Sequence, residues 1–172
     1  PPGILLWRAL LQWVGGIGII VMAIAVLPML RVGGMQLFQM ESSDTSDKVM
    51  PRATQIASGI GLIYVALTLI CGSALWLSGM GGFQAIAHAM TTISTGGFST
   101  SDDSVGHFNS PSIDAIITCF MILGSLPFVL YLQAVRGNLR QLATDSQVLW
   151  FLSIAAMAVM TLTLWQWLGN GE

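Results

Sequence analysis

The stretch TTISTGGFST, residues 91–100, decides how this chain folds, because it breaks a sequence that is otherwise strongly apolar. It is rich in hydroxyl side chains and contains two adjacent glycines, Gly96 and Gly97. Glycine adopts a positive φ without the steric penalty of a Cβ atom, so the backbone is expected to leave the helical conformation here. A polar, helix-breaking segment between hydrophobic runs requires a structural or functional reason.

The composition is that of an integral membrane protein. Charged side chains make up 8% of the 172 residues and the mean hydropathy is +0.76, whereas a soluble domain carries about 25% charged residues. The net charge of −2 is too small to indicate a nucleic-acid partner. Cys71 and Cys119 lie in apolar runs, so we expect reduced packing residues. From its first and last residues, PPG and GNGE, we expect the chain to belong to a longer protein.

Four apolar runs are long enough to cross a bilayer, which requires about 20 residues. They cover residues 4–30, 56–77, 113–133 and 147–168. A fifth segment, residues 83–93, is helical in character but too short to cross. Apolar segments of this length are more often buried, interfacial or re-entrant.

Local signals refine the third and fourth spans. Ser110, followed by a proline, is predicted to cap the start of the third span, and Asp145 or Thr144 the start of the fourth. Gly124 and Pro127 predict a kink in the third span, because proline removes a backbone hydrogen bond. The kink either widens the inner end of a pore or serves helix packing.

The distribution of lysine and arginine predicts the orientation. Residues 79–111 contain neither, but carry Asp102 and Asp103, whereas the loops after the first and third spans are basic. The positive-inside rule places those two loops in the cytoplasm and residues 79–111 outside. The two aspartates either attract cations or form a solvated acidic loop. The basic loop residues are Arg31, Lys48, Arg52, Arg136 and Arg140.

Other polar or small residues in the first span have simple interpretations. Arg8 lies near its outer end between Trp7 and Trp13, which predicts an interfacial anchor whose charged group reaches towards the headgroups. The glycines of VGGIG, residues 14–18, follow no strand. They therefore indicate close helix packing and not a nucleotide-binding loop.

The segment STGGF, residues 94–98, which we call the polar turn, has two interpretations. In the first, the short helix points its C-terminus into the membrane, where unpaired carbonyls carry about half a negative charge. The polar turn then returns outward, and its carbonyls replace the hydration shell of an alkali cation. Four such turns would be needed to close a ring. In the second, a glycine simply caps the helix and the hydroxyls bond locally. The half-length helix and the outer segment without lysine or arginine favour a filter.

Two long stretches resemble a known family. WRALLQWVGGIGIIVMAIAVLP, residues 7–28, and HAMTTISTGGFST, residues 88–100, the latter followed by DDSVGHFNSPSI, resemble the Trk/Ktr superfamily of potassium-uptake transporters, in particular its Trk-type membrane subunit. The resemblance implies an all-α integral membrane fold with span–pore helix–span repeats around a pseudo-fourfold cation pore. This chain would contribute four transmembrane helices and one re-entrant pore helix.

The resemblance also implies a division into repeats. The second span of repeat 1 would be residues 1–30, and repeat 2 would be complete in residues 56–136, with its pore helix at 83–93 and its filter at 94–98. The first span of repeat 3 would be residues 147–172. Residues 31–55 and 137–146 would be cytoplasmic loops.

In the family, each repeat supplies one filter strand with a key glycine before an apolar residue. Gly97, followed by Phe98, matches best, and Gly96 is the alternative register. The filter backbone would be Ser94, Thr95, Gly96, Gly97 and Phe98, with potassium bound through the carbonyls of Thr95, Gly96 and Gly97.

The implied function is potassium uptake, with rubidium as an analogue, by a multi-pass protein of the bacterial inner membrane. The implied partners are membrane lipid, a second copy in a homodimer, and a cytoplasmic nucleotide-binding regulatory subunit. We expect no covalent cofactor and no nucleic acid. No nucleophile, metal cluster or acid pair indicates an enzyme.

Two other functions remain open. A membrane anchor of a redox complex would need paired haem ligands at bilayer depth, but the two histidines, His88 and His107, fall outside the four spans. His88 is instead expected to form hydrogen bonds within the bundle, and His107 to lie in a solvent-exposed loop. A different re-entrant-loop transporter for small polar solutes is the other alternative.

Overall fold

The structure is a computed structural model that describes residues 1–26 and 46–169, with side chains in residues 1–22, 55–140 and 142–169. Most of the predicted loop 31–55 therefore lies outside the described residues. The described part contains helices and no β-strand, so the predicted all-α class is confirmed. Its elements are α1 (Pro2–Val26), α2 (Ser46–Leu77), α3 (Gly82–Ile93), a 3-10 helix (Ser104–Phe108), α4 (Pro111–Ser125), α5 (Phe128–Val135), α6 (Leu139–Thr144) and α7 (Ser146–Gly169).

Three of these helices contain segments that are long and apolar enough to cross a membrane: Pro2–Met22, Gln55–Leu77 and Ser146–Gly169. At 1.5 Å per residue, the 23 residues of the second segment extend about 34 Å, slightly more than the roughly 30 Å hydrocarbon core. The predicted first, second and fourth spans are therefore helical in the described residues, and the end of the first span lies outside them.

The third span is broken into α4 and α5. Leu126, between them, has an extended backbone with φ −76° and ψ 150°. The ring of Pro127 excludes the helical conformation from the residue before it, so the break lies where proline requires it. The predicted kink is present at Pro127, whereas Gly124 lies inside α4 and has a different role, described below.

The helix caps differ between the two predicted positions. Ser110 is the N-cap residue of α4, but its side chain makes no capping hydrogen bond, so the expected side-chain cap is wrong. Asp145 caps α7, since its Oδ1 accepts the N–H of Gln147 at 2.8 Å. The Thr144 hydroxyl instead donates to the carbonyl of Arg140 at 2.9 Å.

The described chain divides into two units, Pro1–Phe128 and the residues from Val129 onwards. In the second unit, α7 exposes nearly all of its apolar side chains, with Val148 as the buried exception. An apolar helix with this exposure requires lipid or further protein around it.

The short helix α3 is the centre of the first unit. It packs against α1, α2 and α4, and Ala85, Ala87, Ala89 and Ile93 are each 1% exposed. Its small alanine side chains allow neighbouring helices to approach closely. Of the three environments predicted for this segment, the structure therefore shows burial in protein on several sides.

A closed set of hydrogen bonds joins α1 to α2. The Nε1 of Trp13 donates to the hydroxyl of Thr68 at 3.0 Å, and that hydroxyl donates to the carbonyl of Tyr64 at 2.8 Å. The hydroxyl of Tyr64, a fully buried residue, returns a hydrogen bond to the Trp13 carbonyl at 2.9 Å. Trp13 was expected to flank an interfacial anchor; it binds α2 instead and fixes the position of α1 beside α3.

Gly124 allows α4 to approach the C-terminus of α3. A Cβ atom at this position would lie 3.1 Å from the carbonyl oxygen of Ile93 and 3.3 Å from its Cα. Both are backbone atoms, which cannot move independently of the helix. Gly72 also faces α3, but a Cβ there would lie 3.5 Å from the Cβ of Ala89, an ordinary contact.

We predict that Gly124→Ala destabilises the intact protein relative to Gly72→Ala by about 1–3 kcal/mol, the usual cost of overpacking. Both changes give the same gain in helix propensity, so the difference isolates the contact with Ile93. Thermal unfolding of the purified protein in detergent measures it. Equal unfolding midpoints would show that α4 can move away from α3 at no cost.

Candidate functional site

The polar turn begins where α3 ends. Ser94 is still helical, with φ −76° and ψ −1°, whereas Thr95 is left-handed with φ 54°. Gly97 is left-handed as well, with φ 69°, and Gly96 is not. The backbone therefore leaves the helix as predicted, but a threonine and not a glycine occupies the first left-handed position.

The last carbonyls of α3 are paired within the turn. The carbonyl of Thr92 accepts the N–H of Thr95 at 3.1 Å, and that of Thr91 accepts the N–H of Gly96 at 2.8 Å and of Gly97 at 3.4 Å. The first two bonds form the Schellman pattern of helix termination. The expectation of unpaired carbonyls at this helix end is thus wrong for these two residues, and the capping interpretation is correct for this part of the turn.

The outer end of the polar turn is tied back to α3 by a buried hydroxyl. The Oγ1 of Thr91 lies 2.8 Å from the carbonyl oxygen of Phe98 and 3.2 Å from that of His88. Thr91 is 2% exposed, so this hydroxyl has little access to water. The Phe98 carbonyl is consequently held towards α3.

His88 braces the residues that follow. Its Nδ1 lies 2.8 Å from the carbonyl of Gln84, which can only accept, so this nitrogen carries the proton. Its Nε2 then accepts from the Ser99 hydroxyl at 3.1 Å, and the Ser99 oxygen accepts the N–H of Ser101 at 3.2 Å. The expected bonding within the bundle is present. Since both ring nitrogens have partners, the haem-anchor alternative loses one of its two candidate ligands.

The two adjacent glycines are required for different reasons. A Cβ on Gly96 would overlap the Oε1 of Gln12 and lie 2.7 Å from its Cδ, so a larger residue here would displace the carboxamide of Gln12. A Cβ on Gly97 would meet no atom within 4 Å, but its positive φ is strained for other residues. The backbone conformation expected of the key glycine is therefore found at Gly97.

Two residues of α1 at this site were not identified as functional from the sequence. The guanidinium carbon of Arg8 lies 4.1 Å from the centre of the Phe98 ring, a cation–π contact. Arg8 thus has a partner within the protein in addition to its predicted role as an interfacial anchor, which stays a prediction. Gln12, beside Gly96, is the second. Polar residues four apart in an apolar helix share one face and are rarely without a role, which was the available signal.

A cavity of about 260 Å³ lies behind the polar turn. Hydroxyl groups and His88 form much of its wall, and Ile117 and Met121 of α4 contribute an apolar side. The volume corresponds to several water molecules at about 30 Å³ each. The hydroxyl-bearing residues are Thr91, Thr92, Thr95, Ser99, Ser104 and Ser125.

The surface beyond the turn is acidic and open. Asp102, Asp103 and His107 are exposed, as expected for an outer loop. Within the described residues no group of three or more His, Cys, Asp or Glu side chains could hold a metal ion. Cys71 and Cys119 are both free.

We predict that Gly96→Ala destabilises the intact protein and that the added change Gln12→Ala restores most of the loss. Gly97→Ala should cost about 1–2 kcal/mol whether or not Gln12 is present, because its penalty comes from the backbone angle. The measurement compares the unfolding midpoints of five purified variants. They are Gln12→Ala, Gly96→Ala and Gly97→Ala alone, and the two glycine changes each combined with Gln12→Ala. A recovery of Gly97→Ala by Gln12→Ala would contradict the assigned difference.

Curated relatives of this chain are potassium uptake proteins. It is 48% identical over 165 residues to the Trk system potassium uptake protein TrkI of Halomonas elongata, covering 95% of this chain and 34% of that protein. It is 42% identical over 173 residues to the Trk system potassium uptake protein TrkH of Salmonella typhimurium, covering 99% and 36%. The chain thus spans about a third of the length of these relatives.

The fold agrees with a solved transporter. The structure superimposes on the crystal structure of the potassium transporter TrkH from Vibrio parahaemolyticus with a TM-score of 0.76 and 37% sequence identity, covering 91% of this chain and 31% of that one. Together with the long apolar helices, the comparisons confirm the predicted multi-pass protein of the bacterial inner membrane. A family model described as TrkH, cation transport protein, matches residues 1–169. The resemblance inferred from the sequence is confirmed, and the chain belongs to the TrkH family of cation transport proteins.

Proposed function

We propose that the protein takes up potassium across the bacterial inner membrane and that this chain supplies one wall of its selectivity filter. The observation that carries the proposal is the braced polar turn. Residues 94–98 form an irregular backbone whose central residues Thr95, Gly96 and Gly97 are exposed. Gly97 is left-handed, and the Phe98 carbonyl is held by Thr91. Irregular backbone at membrane depth persists only where protein encloses it or where it lines a water-filled path.

Potassium would be bound by backbone oxygens of Thr95, Gly96 and Gly97, within the filter segment Ser94–Phe98. Such carbonyls replace part of the ion's hydration shell, and their number and field determine which cation is preferred. The paired carbonyls of Thr91 and Thr92 belong to the helix cap, so they are not proposed as ligands. The chain's role is conduction and selection, and the proposal requires no covalent chemistry.

One polar turn cannot surround an ion. The proposal therefore includes four span–pore helix–span repeats, with α2 to α5 forming the second and α3 as its pore helix. In this arrangement α1 is the last span of the first repeat and α7 the first span of the third. The coverage of about a third of the relatives' length is consistent with this share.

Charge near the proposed pore entrance favours cations. Residues 79–111 have no lysine or arginine, and Asp102 and Asp103 are exposed just after the polar turn. Negative charge at a narrow entrance raises the local concentration of cations.

Partners of the whole protein belong to the same proposal. They are a second copy in a homodimer, surrounding lipid, and a cytoplasmic nucleotide-binding regulatory subunit. The segment from Arg31 to Arg52 is one candidate contact for that subunit. Arg136 and Arg140 are both exposed and would lie on the cytoplasmic side of the membrane, as that subunit does.

The orientation can be tested by labelling single cysteines in intact cells, in a background without native cysteines. Ser104→Cys is expected to react with a membrane-impermeant thiol reagent, and Ala143→Cys only after the membrane is opened. Both positions are exposed, so access and not burial determines the result. The reverse pattern would invert the proposed topology.

The proposed function predicts that Gly97→Ser lowers the preference for rubidium over sodium about tenfold, which corresponds to about 1.4 kcal/mol. The added Cβ strains the left-handed backbone, and its relaxation turns a carbonyl away from the ion. Rubidium uptake by the full-length protein, in competition with sodium, is measured in cells that lack potassium uptake. Protein level is measured in parallel.

Gly79→Ser is the matched control. Gly79 also has a positive φ, of 96°, and a Cβ there would meet no atom within 4 Å, but it lies in the turn between α2 and α3. Gly79→Ser should strain the backbone as Gly97→Ser does, but the protein should keep its preference for rubidium over sodium. Equal selectivity in the two variants would remove Gly97 from the filter. Absence of rubidium uptake by the unmodified protein would contradict the function itself.

A further inference from the structure

One face of α1 follows the polar turn along its length. The contacts recur every four residues on the helix and every two residues on the turn, and the two segments run in opposite directions. The pairs are Arg8 with Phe98, Gln12 with Gly96, and Gly16 with Ser94.

At the inner and middle pairs, a larger side chain faces a glycine. A Cβ on Gly16 would lie 2.9 Å from the Cβ of Ser94 and 2.8 Å from the hydroxyl of Tyr64, so the glycine is on the helix. At the middle pair the glycine is on the turn, where Gly96 leaves space for the carboxamide of Gln12. The glycine is thus on α1 at the inner pair and on the polar turn at the middle pair.

This exchange specifies a single alignment. If the turn slipped by two residues along α1, Ser94 or Phe98 would meet Gln12 and would have to displace its carboxamide, which Gly96 leaves in place. At the outer pair, the guanidinium of Arg8 lies over the Phe98 ring, and this cation–π contact is attractive even at an exposed site. Steric exclusion acts at the inner and middle pairs, and attraction acts at the outer pair.

We propose that this face of α1 sets the register of residues 94–98 and thereby positions the carbonyls assigned to potassium, with Arg8 as a positioning residue at the outer end. The inference rests on the proposed function. In the repeat arrangement proposed above, α1 belongs to the preceding repeat, so one repeat would position the filter segment of the next.

The position of Arg8 supports a positioning role. A fixed positive charge beside a cation path raises the electrostatic energy of the ion, so it opposes conduction. If the only role of this residue were to interact electrostatically with the cation, an acidic residue would be expected here. The planar guanidinium stacks on aromatic faces in a way that the compact ammonium of lysine does not reproduce.

A double-mutant cycle tests the outer contact in the full-length protein. Arg8→Gln and Phe98→Leu are each expected to lower rubidium-over-sodium selectivity at least threefold, and the double variant no further than the worse single one. Arg8→Lys, which retains the charge but stacks less well, should lie between Arg8→Gln and the unmodified protein. Multiplicative losses, or unchanged selectivity in Arg8→Gln, would overturn the proposal. A purely structural role would lower the amount of protein and leave selectivity unchanged.

Adjacent glycines provide a matched control for the inner contact. Gly16→Ala should lower selectivity, whereas Gly15→Ala should not, because a Cβ on Gly15 meets no atom within 4 Å. Equal effects of the two changes would also overturn the proposal.

Cross-linking tests the register without reference to transport. In intact protein without native cysteines, Gly16→Cys with Ser94→Cys should form a disulfide under mild oxidation, since the two Cβ atoms would be within the range of about 3.5–4.5 Å after small adjustment. Gly15→Cys with Ser94→Cys should not. If the unmodified protein does not transport rubidium but the first pair cross-links, the function fails and the alignment stands. If transport is normal and neither pair or both pairs cross-link, the alignment fails alone. Should the cysteine variants not accumulate, the double-mutant cycle decides.

Discussion

The central constraint on this molecule is that an irregular backbone lies within a chain of membrane-spanning helices. Backbone N–H and C=O groups in an apolar environment must find partners, and outside a helix the segment itself cannot provide them all. Here the N–H groups of Thr95 and Gly96 bond to the last carbonyls of α3, and the Thr91 hydroxyl bonds to the Phe98 carbonyl. The neighbouring helices support this turn, while Thr95, Gly96 and Gly97 remain exposed.

The burial of α3 explains where small residues occur. α3 is buried because it carries the turn, and its neighbours approach it closely through alanine and glycine. Gly124 brings α4 against the backbone of Ile93, and Gly16 brings α1 against Ser94. Without a strong hydrophobic effect between helices in lipid, such close packing is a main source of attraction. The same glycines therefore serve stability and the placement of the candidate filter.

Different polar groups support the polar turn in different ways. Trp13, Tyr64 and Thr68 join α1 to α2 through a closed set of hydrogen bonds, which holds α1 in place. Arg8 can then reach Phe98 from a fixed helix. His88 acts from the opposite side, through Ser99, on the residue after the turn. The polar turn is thus supported by both its own helix and a neighbouring one.

Much of the architecture could be inferred from the sequence alone. The apolar runs, the short helix, the break at Pro127 and the left-handed glycine at Gly97 all follow from hydrophobic length, backbone sterics and turn chemistry, which act over a few residues. These rules are local, so a single sequence is sufficient to apply them. They also placed the polar turn correctly between a half-length helix and a full span.

Other features depended on residues that are distant in sequence. Gly96 is small because Gln12, 84 positions earlier, occupies the space, and Arg8 contacts a ring 90 positions later. The capping interpretation predicted paired α3 carbonyls but assigned the left-handed position to a glycine, whereas Thr95 occupies it. Periodicity predicts which face of a helix is apolar but not which partner it meets. That choice is made by packing among whole helices, so only the tertiary structure identified Arg8 and Gln12 as neighbours of the candidate filter.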